Sequence, residues 1–146
     1  MKITPARTVF VLISFEGPDV YSQAGGLGVR VKGLSRALAQ RGHYTHVFYI
    51  GDPDLPSDES HERGRLRYHR WCQWISAFHP GGVYDGEEEK LRDWNRSLPP
   101  AVIDDLIVPA VSSGSNVVVL GEEWQTAGTM ISSPTPFTTG ASVTGW

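Results

Sequence analysis

Between residues 8 and 50 an apolar run, a glycine-rich gap, an amphipathic stretch and a second apolar run follow one another, and few folds accept that order. Thr8 to Ser14 (Thr-Val-Phe-Val-Leu-Ile-Ser) is rich in β-branched and aromatic residues and lacks polar alternation, which predicts a strand covered on both faces. Residues 15–28 carry Gly17, Pro18, Gly25, Gly26 and Gly28 and read as a loop. From Leu27, the apolar positions Leu27, Val31, Leu34 and Leu38 recur at helical spacing, and Gly42 supplies the stop. His43 to Ile50 reads as a second strand. Strand, loop, helix and strand make a βαβ unit, whose strands run parallel through a right-handed crossover.

The remainder continues the alternation. Residues 51–64 are polar and hold two prolines, so an exposed loop is expected, and a short strand falls within Arg65 to Trp74. Asp85, with Glu88 three residues on, has capping-box spacing for a helix with Leu91, Trp94 and Leu98 as its apolar stripe. A separate helix is expected from Pro99 or Pro100 to about Val111, with Pro109 disturbing its end. Asn116 to Leu120 is a third buried-strand candidate. The pattern predicts an α/β fold with a Rossmann-like, doubly wound and mainly parallel sheet over residues 1–127. Residues 128–146 are uncharged and rich in Ser, Thr, Pro and Gly, and are expected to be an irregular tail.

Composition narrows the function. Thirteen Lys and Arg against 16 Asp and Glu leave a formal charge of -3, which gives no global attraction for nucleic acid or an anionic membrane. The lone Cys72 cannot form an intrachain disulfide, and no signal peptide or spanning segment is visible, so a cytoplasmic location is expected. At 146 residues, the chain holds one ordinary domain.

The strongest local feature is Gln23-Ala24-Gly25-Gly26-Leu27-Gly28, set between a buried strand and a helix. Glycines let a backbone approach a ligand, and a helix start favours a phosphate or another anion. Two familiar phosphate motifs fail on spacing. Val31 stands where a dinucleotide fingerprint needs its third glycine, and no Gly-Lys-Ser/Thr follows for a Walker A loop. A flavodoxin-like or response-regulator domain is a more distant possibility, and Phe15-Glu16-Gly17-Pro18-Asp19 lacks the paired carboxylates of the latter.

Ser14 to Gly42, with Glu16, Pro18, the Gly-Gly-Leu-Gly loop and Arg41-Gly42-His43, resembles the start of GT-B glycosyltransferases of the glycogen and starch synthase type. Asn116 to Ala127 resembles the same family's buried strand ending in an Asp-Trp-His/Gln-Thr-Ala element. The resemblance implies a single GT-B N-terminal-type domain that binds a saccharide acceptor. It also implies contact with the phosphates of a nucleotide-diphosphate sugar, a co-substrate in a family that needs no other cofactor. Gln23, Gly25, Gly26, Leu27 and Gly28 would lie on the donor side, Glu16, Trp124 and Gln125 on the acceptor side, and Glu123 would be the catalytic carboxylate. In the family a separate C-terminal domain grips the nucleotide sugar, so this chain is expected to be a truncated, inactive half. The competing expectation is a noncatalytic saccharide-binding or interaction module that pairs with another chain, marked by exposed apolar surface.

Several departures weaken the site more than the scaffold. Gln23 replaces a family lysine, Val29 an aspartate and Gln125 a possible imidazole, and an amide cannot neutralise a phosphate charge. Of Glu122 and Glu123, adjacent on a strand end, only one is expected to face a cleft, and Glu123 is favoured. His43, His46, His61, His69 and His79 lack ligand spacing, so no metal is expected. Trp71, Trp74 and Phe78 read as core rather than as sugar-stacking rings, Glu87 to Lys90 as a solvated first turn, and Cys72 as unreactive.

Overall fold

The computed structural model describes residues 2–132 and 141–144. β1 (Thr8–Ser14), α1 (Leu27–Gln40) and β2 (Tyr44–Ile50) follow the predicted order. Alternate residues of β1 explain its unbroken apolar run. Val11 and Ile13 pack into one core with Trp94 and Leu98, while Phe10 and Leu12 pack into another with Val31 and Ala39. α1 ends on Gly42 at φ 93°, where the His43 N–H reaches back to the Leu38 carbonyl at 3.1 Å. A left-handed residue is what that return requires.

After β2, the segment expected to be loop contains β3 (Asp58–His61), an edge strand antiparallel to β4 (Leu66–Trp71). Its four residues are all polar, and its pairing is secured by side chains: His69 Nδ1 lies 2.5 Å from Asp58 Oδ1, and Arg70 Nη2 donates to Glu59 Oε2 at 2.5 Å. α2 (Gln73–Ser76) is one short turn. α3 begins at Glu87, two residues later than the capping box predicts. Gly86 at φ 68° precedes it, and Asp85 instead accepts the Gly81 N–H.

α3 (Glu87–Val102) runs straight through Pro99 and Pro100, so the expected separate helix is a continuation. Trp94, Leu98 and Val102, each four residues apart and buried, carry one stripe past the prolines. A π-helical turn, Ile103–Ile107, then joins α3 to α4 (Val108–Ser112). β5 (Asn116–Glu122) is followed by a 3-10 turn at Trp124–Thr126 and α5 (Ala127–Ser132). β6 (Ala141–Thr144) pairs parallel to β5. The expected irregular tail of 128–146 therefore holds a helix and a strand, and the rest of that expectation lies outside the described residues.

The six strands lie in the order β3-β4-β2-β1-β5-β6. All pairs are parallel except β3 with β4. The protein is thus α/β with a mostly parallel sheet between helices, an order compatible with a doubly wound sheet. The chain leaves β1 toward β2 on one side and later places β5 on the other, so the switch point falls between β1 and β5. Ligands of such sheets collect at the carboxyl ends of those strands. Among the described residues no helix is long and apolar enough to cross a membrane.

Candidate functional site

Ser14 and Glu122 are register partners at the ends of β1 and β5, so the residues following them, Glu16 and Glu123, emerge side by side at the switch point. Glu16 is buried and Glu123 half-buried. Between them stands a residue the sequence reading missed, Tyr84. Its hydroxyl oxygen is 2.9 Å from Glu16 Oε2 and 2.8 Å from Glu123 Oε2. No periodicity marks it, since it sits in the turn Val83-Tyr84-Asp85-Gly86 before α3.

One phenol proton cannot satisfy two carboxylates. Both contacts become hydrogen bonds when a second proton resides on Glu123, which then donates to Tyr84 while Tyr84 donates to Glu16. Burial pushes Glu123 up from the ordinary glutamate range, against the Glu16 N–H and Tyr84 contacts that hold it down. Burial and the two carboxylates likewise push the Tyr84 phenol up, so it keeps its proton. The other Glu123 oxygen accepts the Glu16 N–H at 3.2 Å and the Ser14 hydroxyl at 3.4 Å. With that proton on Glu123 the two carboxyls form a proton-sharing pair, a form suited to gripping hydroxyl groups or exchanging a proton with one.

Glu16 also organises the glycine loop. Its Oε1 accepts the Ala24 N–H at 3.0 Å and the Gly25 N–H at 3.1 Å. An internal carboxylate therefore occupies amides that the sequence offers to a phosphate. Gln23 turns inward and donates to the Pro18 carbonyl at 2.9 Å. Gly28 is required by packing, because a Cβ there would meet the Gly17 carbonyl oxygen at 2.6 Å. Gly25 and Gly26 differ: a Cβ on either would meet nothing within 4 Å, so the space above them is open. Leu27 begins α1 and is packed against its core.

The other expected residues divide. Trp124 is 66% exposed beside Glu123 and presents a ring to solvent. Gln125 is buried and donates to Glu87 Oε1 at 3.1 Å rather than to the Glu16-Tyr84-Glu123 cluster. Glu122 points to the opposite side from Glu123, is buried, and lies 3.5 Å from Arg30 Nη1. Trp71 is half-buried and donates to Ser97, but Trp74 and Phe78, expected in the core, are 61% and 81% exposed. Lys90, expected on a solvated turn, is fully buried. Its ammonium donates to Tyr21 Oη, Gly82 O and Val83 O, pinning the segment that leads into Tyr84. Cys72 is buried, and burial followed by nearby Asp93 pushes its thiol up, away from the reactive thiolate.

Among the described residues no group of three or more His, Cys, Asp or Glu is arranged to hold a metal ion. Comparison with protein-family models, with curated proteins and with solved structures found no match. The fold and site define an α/β protein with a carboxylate-tyrosine cluster at the switch point of its sheet.

Proposed function

We propose that the chain is the saccharide-binding, Rossmann-like half of a GT-B glycosyltransferase of the glycogen and starch synthase type. The family reaction transfers a hexose from a nucleotide-diphosphate sugar to a saccharide acceptor, and the setting is cytoplasmic. The observation that carries this reading is the Glu16-Tyr84-Glu123 cluster beneath the open face of Gly25 and Gly26. Carboxylates and a phenol match the hydroxyls of a sugar, and the exposed Trp124 ring beside them suits its apolar face. The same cluster is poorly suited to a diphosphate, since two loop amides are already bound to Glu16. The donor's phosphates therefore belong mainly to residues of a second domain, as the resemblance implies.

Calorimetry with a maltooligosaccharide and with a nucleotide-diphosphate glucose tests this. The saccharide is expected to bind at millimolar concentration, with loss of binding in Trp124→Ala and Gly26→Asp, and with little or no binding of the nucleotide sugar. Absence of any saccharide binding at that concentration overturns the reading. A noncatalytic module pairing with another chain is favoured by a different observation: Val20, Trp74 and Phe78 are all exposed, and Tyr21 ties the loop of Val20 to the Ser76 and His79 carbonyls. Saccharide binding that survives Gly26→Asp would support this second reading over the first.

A further inference from the structure

On the α3 side of the sheet, along β2 and β4, lies a cleft of about 390 Å³ that plays no part in the carboxylate cluster. Its floor is built from alternate residues of two adjacent parallel strands. Phe48 pairs in register with His69, and His46 with Arg67. The π-helical turn forms the opposite wall with Asp105 and Leu106. Such turns interrupt α-helices frequently at functional positions.

The polar groups form an ordered chain. Asp58 Oδ1 lies 2.5 Å from His69 Nδ1, and His69 Nε2 lies 2.9 Å from His46 Nδ1, with the two ring planes 7° apart. An ionised Asp58 accepts, so His69 carries its proton on Nδ1. Burial lowers His69 against the pull of Asp58, and burial with His69 and Arg67 alongside lowers His46 to about 4. Both rings are therefore neutral near pH 7. His69 Nε2 is then the acceptor, His46 Nδ1 the donor, and His46 Nε2 is left as a bare acceptor. Phe48 stacks on His69 at 4.3 Å, and Trp71 meets Phe48 edge-on at 5.9 Å.

The cleft thus joins one guanidinium, Arg67, to an acceptor side made of Asp105 and His46, with an aromatic wall of Phe48 and Trp71 between the strands and the helix. A simple anion would meet two carboxylates, and a simple cation would meet Arg67. We propose that this cleft is a second ligand site, taking a small zwitterion with the amine and carboxylate of a free α-amino acid and an apolar side chain. Its carboxylate faces Arg67, its ammonium faces Asp105 and His46 Nε2, and its side chain lies against Phe48 and Trp71. The volume is at the lower end of the range for small-molecule sites.

The test titrates the full chain with L-phenylalanine, with 2-phenylethylamine, which lacks the carboxylate, and with 3-phenylpropionate, which lacks the amine. The readout is the ring resonances of His46 and His69 by NMR. L-phenylalanine is expected to shift both sets saturably, and each analogue to bind about fivefold more weakly, the size of a partly exposed ion pair. Arg67→Gln should erase the preference over phenylethylamine, and Asp105→Asn the preference over phenylpropionate. Both residues are exposed, so neither change should disturb the fold. Equal binding of all three compounds, no saturable shift with any, or a preference that survives its matching variant overturns the proposal.

Discussion

Glu123 sits at φ 72° and ψ 164°, a backbone region that glycine enters easily and other residues only at a cost of about 1–3 kcal/mol. It holds that conformation where its carboxyl receives Ser14, the Glu16 amide and Tyr84. Strain and binding geometry are therefore joined in one residue. Replacing Glu123 by Ala removes the contacts and keeps the strain, whereas Gly removes both. Glu123→Gly is expected to be more stable than Glu123→Ala by about 1 kcal/mol, the reverse of the ordinary order, in urea unfolding. Glu123→Gln tests the shared proton. Because burial raises the folded-state value above the unfolded 4.5, the stability that the protonated acid contributes is complete below 4.5 and fades as pH rises through the folded value. The glutamine amide donates to Tyr84 at every pH. Glu123→Gln should therefore match the native protein in acid and exceed it at neutral pH, and an identical pH profile for both proteins would exclude the shared proton. Glu16 and Glu123 were legible in the sequence because they follow apolar runs that specify neighbouring strands. Tyr84 was not, since its place depends on Lys90, buried 0% exposed and bonded to the carbonyls of Gly82 and Val83, and nothing in Glu87 to Lys90 signals a buried ammonium.

The elements differ in how much of their form is local. β1, α1 and β2 were legible because apolar spacing and a terminal glycine specify them within their own residues. β3 has no apolar residue in Asp58–His61, and it exists through its pairing with β4. α3 shows the opposite conflict, in which local rules predict a break at Pro99 and tertiary packing carries the helix onward. Trp94, Leu98 and Val102 bury one continuous stripe, and each buried side chain of that kind contributes about 1.5–3 kcal/mol. That sum offsets two missing backbone donors. Pro99 is buried, but Pro100 is exposed, so its ring contributes little packing. Pro100→Ala restores an N–H to the helix and loses only the proline's restraint on the unfolded chain, worth about 0.4–1 kcal/mol. The exchange is expected to raise the stability by about 1–2 kcal/mol, read from the urea midpoint. A fall in the midpoint would mean that the helix depends on the proline to set up the π-helical turn at Ile103–Ile107.

At the scale of the molecule, the sheet order gathers distant residues at one edge. Glu16 and Glu123 are 107 positions apart in sequence and share a hydrogen bond there. The same edge collects apolar side chains that the two cores do not use. Tyr21 ties its loop to the Ser76 and His79 carbonyls, which sets Val20 near Trp74 and Phe78. Val29, in the first turn of α1, and Trp124, just past β5, flank the glycine loop, and all five are more than half exposed. Monomers rarely leave a contiguous apolar patch of more than a few hundred Å² uncovered. The isolated chain is accordingly expected to self-associate weakly through this edge. Sedimentation of the native protein should show a mass that rises with concentration, and Trp74→Ser combined with Phe78→Ser should return it to a monomer. Because both side chains are mostly exposed, the double variant should keep its unfolding free energy within about 1 kcal/mol of the native value. A native protein that sediments as a monomer at every concentration would show that the five side chains form no joint surface. Self-association that persists in the double variant would instead move the contact to Val29 and Trp124, beside Glu123.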